Sequence, residues 1–144
     1  LGPAYTVKCR AGDNLTLHAA LNFCQEGDVL VVSNEEDDTR ALMGEIMMAY
    51  LRYTKKIAGI ILDGPIRDID EIGNWDFPVY CTGPDGVIVI PRKDAAVVLE
   101  DAKKFQAADE KKLAAAKDGT ANRAWVEKTL AEKGYEIIDD VYQP

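Results

Sequence analysis

The chain has 144 residues, of which 47% are hydrophobic and 29% charged, and its formal net charge is −8 at pH 7. This length and composition are typical of a soluble globular protein with one hydrophobic core. The negative charge argues against direct nucleic-acid binding, because phosphates would be repelled, and no apolar run approaches the length of a membrane span.

The amino terminus lacks the basic-then-apolar pattern of a signal peptide. The three cysteines, Cys9, Cys24 and Cys81, show no paired spacing. They therefore predict reduced core thiols in the cytoplasm, not a disulfide framework or a zinc site.

Short apolar runs alternate with helical patterns along the chain. The patterns predict strands at 4–8, 29–32, 58–62, 77–82 and 87–90, with 58–62 buried on both faces, and helices at 15–24, 44–56, 94–117 and 120–133. A turn is expected at 85–86 and an extended arm at 135–144. The sequence contains no repeats and no low-complexity linker, so we expect a single α/β domain over 1–144. The acidic segment 33–40 is interpreted as a solvated loop, with a metal site as the alternative.

The segment 44–71 joins a helix, an apolar strand and a charged turn. Gly44 and Glu45 open the helix, and Arg67 and Asp68 follow the strand almost at once. Ligands of α/β sheets bind beyond the carboxyl ends of the strands, so this turn is placed to hold a small ligand.

The chemistry of this segment suits an anionic substrate and a hard cation. Arg67 offers a planar fork of donors that matches a carboxylate, and Asp68 is an oxygen ligand suited to magnesium or manganese. Backbone N–H groups at the helix start favour an anion, and they would come from Gly44, Glu45, Ile46 and Met47. From residue types alone, however, the simpler interpretation is an Arg–Asp turn pair with Glu45 as an ordinary acid at a helix start.

The combination GE…KIAGIILDGPIRDIDE, followed by FPVY and PDGVIVIP, resembles a known family. That family joins the regulator of ribonuclease activity A to the class II 4-hydroxy-4-methyl-2-oxoglutarate (4-carboxy-4-hydroxy-2-oxoadipate) aldolases. The resemblance covers about residues 2–119. It rests on an acid after a glycine (Gly44-Glu45) and on an Arg-Asp pair with an acid three residues on (Arg67, Asp68 and Glu71).

The resemblance implies a fold and an activity. The expected fold is α/β, a swivelling-type β/β/α domain with a helical C-terminal extension, assembled as a homotrimer or homohexamer. The expected activity is a divalent-metal-dependent aldolase that cleaves 4-hydroxy-2-oxo acids and releases pyruvate, with oxaloacetate decarboxylation as a side activity. The alternative is a non-catalytic protein-binding regulator of ribonuclease E type.

The resemblance also implies residue roles. Arg67 would bind the carboxylate and carbonyl of the oxo acid, Asp68 would anchor Mg²⁺ or Mn²⁺, and Glu45 would hold water on the metal. The substrate carboxylate would be bound by the backbone amides that follow Gly44. Glu110, or Asp109 beside it, would be the acid that a neighbouring subunit contributes.

The chain departs from the family pattern in three ways. Glu45 stands where the family often has Asp, and the interval from Glu45 to Arg67 is one residue longer than the commonest one. We expect a small change at the helix end to absorb that residue. Gly83 runs directly into Pro84, where family members usually have a few tens of residues, and they also have a helical region before the position of Leu1. We therefore expect that an N-terminal region and a segment between Gly83 and Pro84 are missing.

Other features suggest packing and assembly. His18, the only histidine, is interpreted as a structural or surface side chain. The predicted helix 94–117 has more apolar surface along one side than a solvent-facing helix needs, which favours association of protomers. The residues of that side are Ala95, Val98, Leu99, Ala102, Phe105 and Ala108.

Overall fold

The computed structural model of the protein describes residues 2–84 and 93–135. The strands are β1 (Ala4–Lys8), β2 (Val29–Ser33), β3 (Gly59–Asp63), β4 (Pro65–Ile66), β5 (Val79–Tyr80) and β6 (Gly83–Pro84). Four parallel strands form one sheet in the order β1-β2-β3-β5, and two shorter parallel strands, β4 and β6, form a second. The helices are α1 (Leu15–Phe23), α2 (Glu45–Ala49), α3 (Ile69–Ile72), α4 (Ala95–Asp118) and α5 (Ala124–Glu132).

The α/β architecture with helices at the carboxyl end is confirmed. The strands predicted at 4–8, 29–32 and 58–62 and the helices at 15–24 and 94–117 form within one residue of their expected ends. The strand predicted at 77–82 is only two residues long, and the last helix begins at Ala124, four residues late. The predicted turn at 85–86, the strand at 87–90 and all but the first residue of the arm at 135–144 lie outside the described residues.

The main sheet has one buried face and one partly exposed face. Leu30 on β2 and Ile60 on β3 lie side by side in the register and are fully buried. Their neighbours Val31 and Ile61 point to the opposite face, where Ile61 is 45% exposed. The prediction that this strand is buried on both faces is therefore wrong, and the core lies on the side where α1 and α2 pack.

The helix that begins with α2 changes character halfway. After Ala49 it continues as a π-helical segment, Tyr50–Lys55, and it ends at Lys56 in a left-handed conformation with φ 55°. A π-helical turn closes with i→i+5 hydrogen bonds and so holds more residues than an α-helical turn. Such a turn is compatible with the additional residue expected between Glu45 and Arg67, which stays a prediction.

The C-terminal helices pack against this helix and against α1. The Thr54 hydroxyl donates to the carbonyl of Ala116 at 2.7 Å, and Val126 packs with Leu15 in a small second cluster. The first half of α4 is exposed, including Phe105 at 71%. None of the helices in the described ranges is both long and apolar enough to cross a membrane.

Candidate active site

Two chain segments lie side by side at the end of β3 and build the centre of the site. The N–H of Arg67 donates to the carbonyl of Met43 at 3.0 Å, and Met43 also forms a parallel bridge with Ile66. Asp68 then adopts a left-handed conformation with φ 61°, which Asp tolerates better than most residues, and its carbonyl accepts the N–H of Ile72 to begin α3. This turn presents the Arg67 and Asp68 side chains at the surface.

The Asp68 carboxylate contacts the start of α2. Its Oδ2 accepts a hydrogen bond from the N–H of Glu45 at 3.0 Å, where the unpaired amides and the helix dipole favour a negative charge. A Cβ added to Gly44 would lie 2.5 Å from the same oxygen and 3.3 Å from the Cβ of Arg67. A side chain at position 44 would therefore displace the Asp68 carboxylate from the start of α2.

The helix start keeps further donors for a ligand. The N–H of Met48 is bonded to the carbonyl of Gly44, whereas the N–H groups of Ile46 and Met47 have no intramolecular acceptor among the described residues. Since the N–H of Glu45 is engaged by Asp68, the expected carboxylate contact would be made mainly by these two groups.

Glu45 is paired with a residue that the sequence analysis did not select. Nζ of Lys117, near the end of α4, lies 3.7 Å from Oε1 of Glu45, and the Glu45 side chain is only 19% exposed. The same ammonium lies 5.8 Å from the ring centroids of both Tyr53 and Trp75. The Lys117 contact places the Glu45 carboxylate on the side of α2 that faces α4.

A cleft of about 720 Å³ opens between this turn and the C-terminal helices, and both Arg67 and Asp68 line it. Its other walls come from α1, α2, α4 and α5, including His18, Met47, Tyr50, Asp109 and Arg123. This volume lies within the range of small-molecule sites, about 300–1,000 Å³.

Arg123, at the start of α5, contributes a hydrogen-bonded guanidinium to the cleft. Arg123 donates through Nε to the Asn22 side chain at 2.6 Å and through Nη2 to the carbonyl of His18, and its guanidinium lies 5.0 Å from the centroid of the Tyr50 ring. The His18 ring packs edge-on against Trp125 at 4.8 Å. Burial and the charge of Arg123 lower the pKa of His18 to about 4, so this imidazole is neutral at pH 7.

The two acids proposed for sharing between subunits are placed differently. Asp109 lines the cleft of its own chain and pairs with Lys112 at 2.9 Å. Glu110 lies on the exposed surface of α4, where its side chain contacts only Gln106 among the hydrogen bonds of the described residues. The structure thus brings together Gly44, Glu45, Arg67 and Asp68, and leaves Glu110 apart from them.

The carboxylates around Asp68 fit a hard cation. Glu45, Asp68, Asp70 and Glu71 line a second, smaller cavity of about 430 Å³ together with Arg67. Magnesium is usually held by one or two carboxylates and keeps several waters, which this donor set matches. Within residues 2–84 and 93–135 no three His, Cys, Asp or Glu side chains converge as a complete ligand set. Water or substrate oxygens would therefore supply the remaining positions.

The acidic segment 33–40 was the alternative metal site. Its organising residue is Asn34, which is fully buried, accepts the N–H of Gly12 at 3.1 Å and donates to the carbonyl of Asp37 at 2.6 Å. These bonds fold the segment into a tight loop beside β2.

Comparison with known proteins shows which family this sequence resembles. The sequence profile described as "RraA-like: Aldolase/RraA" matches residues 1–119. A protein of Halalkalibacterium halodurans, provisionally named a 4-hydroxy-4-methyl-2-oxoglutarate aldolase, is 33% identical over 165 aligned positions, which include 90% of this chain and 78% of that protein. The alignment is longer than the 144 residues of this chain, so the relative has residues within the matched region that this chain lacks. The expectation that a segment is missing between Gly83 and Pro84 stays a prediction.

Solved structures show the same fold. A Geobacillus kaustophilus protein described as S-adenosylmethionine:2-dimethylmenaquinone methyltransferase is similar with a TM-score of 0.54 and 33% identity, over 63% of this chain and 55% of that one. The RNA-processing inhibitor RraA from Thermus thermophilis is similar in fold, with a TM-score of 0.53 and 22% identity over 63% of this chain and 54% of that one. The chain therefore spans little more than half of either solved structure. The profile match over residues 1–119 and the 33% identity with the Halalkalibacterium protein show that the protein belongs to the RraA-like family of aldolases and RraA regulators.

Proposed function

We propose that the protein is a divalent-metal-dependent aldolase that cleaves 4-hydroxy-2-oxo acids and releases pyruvate. The observation that carries this proposal is the arrangement of Arg67 and Asp68 against the start of α2, where an anion-binding guanidinium adjoins a carboxylate held by a helix N–H. The provisional aldolase name of the Halalkalibacterium relative supports the same activity.

Arg67 and the helix start would bind the 2-oxo acid. The guanidinium provides parallel donors to the C1 carboxylate and the C2 oxygen, and the N–H groups of Ile46 and Met47 provide further donors to the carboxylate. Both sets of donors lie on the wall of one cleft. The substrate would therefore lie with its reactive carbonyl against Arg67.

Cleavage breaks the bond between C3 and C4. The 4-hydroxyl loses its proton, its C–O bond becomes a carbonyl, and the electron pair of the broken bond moves onto the C2 oxygen as the enolate of pyruvate. Arg67 stabilises the negative charge that develops on this oxygen, and protonation of C3 then gives pyruvate. The expected role of Glu45 is to orient the water that accepts the 4-hydroxyl proton, with Lys117 fixing its carboxylate.

A divalent cation, Mg²⁺ or Mn²⁺, would be held by Asp68, with Glu45 beside it. When bound it would act as a Lewis acid toward the oxygens of the 2-oxo acid. Decarboxylation of oxaloacetate forms the same enolate by loss of carbon dioxide, so we expect it as a side activity.

The alternative is a regulator that binds a ribonuclease of E type without catalysis. The observation that favours it is the exposed apolar surface on α4, where Leu99 is 55% and Phe105 71% exposed, since such a patch is typical of a protein-binding face. The RraA name of the Thermus structure comes from that branch. The Arg67–Asp68 site is suited to an oxo acid and a cation, so we do not propose the methyltransferase activity that the description of the Geobacillus structure names.

Pyruvate release separates the two functions. The purified protein is incubated with 4-hydroxy-2-oxoglutarate and magnesium or manganese, and pyruvate is measured with lactate dehydrogenase. If the protein is an aldolase, we expect pyruvate formation to stop when a chelator is added and to return when metal is supplied again. Pyruvate formation no faster than without protein, with either metal, would reject the aldolase in favour of the regulator.

A further inference from the structure

Lys117 projects from a part of α4 that is fixed to the π-helical segment. The carbonyl of Ala116, its neighbour in the chain, accepts the Thr54 hydroxyl at 2.7 Å, and Ala116 itself is buried. A Cβ added to Gly119, which follows α4, would lie 3.4 Å from the Thr54 methyl group. Lys117 is also in the last turn of the helix, where the dipole favours a cation. Its backbone is therefore held in place independently of any contact of its side chain.

Two aromatic rings restrict the Lys117 side chain. Its Nζ lies 5.8 Å from the ring centroids of both Tyr53 and Trp75, within the distance at which an aromatic ring attracts a cation. The two rings pack edge-on with their centroids 5.9 Å apart, and the Arg52 guanidinium also lies near both, at 4.9 and 5.4 Å. Because Trp75 follows α3 and Tyr53 lies in the π-helical segment, the two rings hold the Lys117 ammonium where these elements meet α4.

This ammonium pairs with Glu45. Nζ lies 3.7 Å from Oε1, and in the described ranges Lys117 is the cation that pairs with this carboxylate. The smaller cavity, which Glu45 lines, is also lined by three further acids whose charges repel that of Glu45, namely Asp68, Asp70 and Glu71. Lys117 lines neither of the two cavities of the described residues. It can therefore stabilise the Glu45 carboxylate in one orientation, but it is not placed to contact the substrate.

We propose that Lys117, held by the Tyr53–Trp75 pair, is a positioning residue for Glu45 and so sets the rate at which the C3–C4 bond of the substrate is cleaved. This inference rests on the proposed function, because it takes Glu45 as the residue that orients the water accepting the 4-hydroxyl proton. Lys117 itself takes no part in breaking the bond. Substrate binding should not depend on Lys117, since Arg67 and the amides at the start of α2 bind the oxo acid in this scheme.

The first test removes the charge of Lys117 and keeps an unbranched side chain. Lys117→Met can still pack on the two rings but leaves no cation beside Glu45. We expect kcat for pyruvate release from 4-hydroxy-2-oxoglutarate to fall on the order of ten- to a hundredfold, because a misplaced catalytic group slows the reaction, and KM to stay within about threefold. Lys117→Arg keeps a cation that can lie against the same rings and should recover most of the loss.

The matched control is Lys104→Met, which makes the same exchange on the same helix. Lys104 pairs with Asp101 at 2.9 Å on the exposed surface and lines neither cavity of the described residues. Exposed pairs of this kind contribute little, so kcat should change by no more than about twofold. An unchanged kcat in Lys117→Met, or a loss that Lys104→Met shares, would overturn the inference. A rise in KM with kcat unchanged would do the same, since it would make Lys117 a substrate-binding residue.

A double variant shows whether Lys117 acts through Glu45. If it does, adding Lys117→Met to Glu45→Gln should lower kcat by no more than about twofold beyond Glu45→Gln alone, because the group to be positioned has already lost its charge. A further loss as large as that of Lys117→Met in the parent would mean that Lys117 acts independently, and the inference would be wrong.

Urea unfolding of the parent, the two single variants and the double variant tests the contact without any bond cleavage. Two residues that interact have non-additive effects, so the double variant should shift the unfolding midpoint by less than the sum of the two single shifts. Additive shifts in a protein that releases pyruvate would retain the aldolase and reject the role of Lys117. Non-additive shifts in a protein that releases no pyruvate would keep the Lys117–Glu45 contact but reject the aldolase, and the positioning role with it.

Discussion

The Asp68 carboxylate accepts the backbone N–H of Glu45 at 3.0 Å, and this contact joins two segments that lie 23 residues apart. It uses the positive end of the α2 dipole to hold a negative charge beside the neighbouring guanidinium of Arg67. The contact is close because Gly44 has no side chain, and its backbone, at φ −145°, is in an ordinary extended conformation. The space at Gly44 thus lets the Asp68 carboxylate reach the N–H of Glu45.

The first prediction follows from the absence of a side chain at Gly44. Gly44→Ala places a Cβ 2.5 Å from Oδ2 of Asp68 and 3.3 Å from the Cβ of Arg67, so the Asp68 carboxylate must move away from the N–H of Glu45. We expect pyruvate release to fall on the order of a hundredfold, and the free energy of unfolding to drop by about 1–3 kcal/mol as for other overpacked sites. Enzyme assays and urea unfolding measure the two effects.

Gly83→Ala is the matched control, because a Cβ at Gly83 meets no atom within 4 Å among the residues that the structure describes. It should leave activity and the free energy of unfolding close to those of the parent. If Gly44→Ala behaves like Gly83→Ala, the close approach of Gly44 and Asp68 does not organise the site.

The second prediction concerns the substrate anchor. Arg67→Lys keeps the charge but loses the planar fork, so kcat should fall on the order of a hundredfold or more while the fold is retained. Arg10→Lys makes the same exchange at an exposed position outside the cleft and should have no effect. Pyruvate formation within a few-fold of the parent in Arg67→Lys would remove Arg67 from its proposed role.

The third prediction concerns the metal. Asp68→Asn keeps the shape and an acceptor for the N–H of Glu45 but removes the charge that a hard cation needs. Calorimetric titration with manganese should show at least about tenfold weaker binding. Asp38→Asn tests the acidic loop and should leave the affinity unchanged. Weaker manganese binding in Asp38→Asn together with unchanged binding in Asp68→Asn would instead assign the metal to the acidic loop.

The local parts of the structure could be predicted from the sequence. The strand at Gly59–Asp63 and the long helix Ala95–Asp118 have periodic patterns and clear end signals, which depend only on neighbouring residues. The change to π-helix at Tyr50 has no such signal, because an α-helical and a π-helical segment share the same residue preferences. The exposure of Ile61 also depends on which elements cover the sheet, which a single strand does not encode.

The candidate site was predictable only in part. Arg67 and Asp68 were selected because they follow a strand and match the family pattern, and in the structure Asp68 accepts the N–H of Glu45. Lys117 and Arg123 were missed. Arg123 reaches Asn22 across 101 residues, and Lys117 reaches Glu45 from the last turn of α4. Contacts of this kind depend on how the C-terminal helices dock.

The fourth prediction uses the lowered pKa of His18. In the unfolded chain the imidazole takes up a proton near pH 6.5, whereas in the folded protein its pKa is about 4. Between these two pKa values the unfolded state binds more protons than the folded state. The free energy of unfolding therefore falls as the pH is lowered from 6.5 toward 4, and above pH 6.5 His18 adds nothing to its pH dependence. The loss is about 1–2 kcal/mol once the partial exposure of the ring is allowed for.

His18→Phe keeps a ring against Trp125 and removes the titration. Urea unfolding between pH 7.5 and 4.5 should show the parent losing stability relative to this variant only below about pH 6.5. A constant difference across the whole range would mean that His18 does not titrate with a lowered pKa.

The last prediction concerns assembly as a homotrimer or homohexamer in which a neighbour completes each site. Glu110 lies on the exposed part of α4 and lines neither of the two cavities described above, so it would reach an active site only in another protomer. Leu99 and Phe105 on the same helix are 55% and 71% exposed, which gives α4 an apolar surface to bury. Closed rotational symmetry is the usual result of such a contact.

Coexpression of Arg67→Lys with Glu110→Gln tests this shared site. Each variant alone should be inactive, and the mixture should recover about a quarter of the parental activity, because random assembly joins two intact halves at one boundary in four. Arg67→Lys mixed with Asp68→Asn is the control: both changes lie in the same half, so no boundary would gain an intact Arg67–Asp68 turn. Light scattering that shows a fully active monomer, or recovery in the control mixture, would contradict a site shared between protomers.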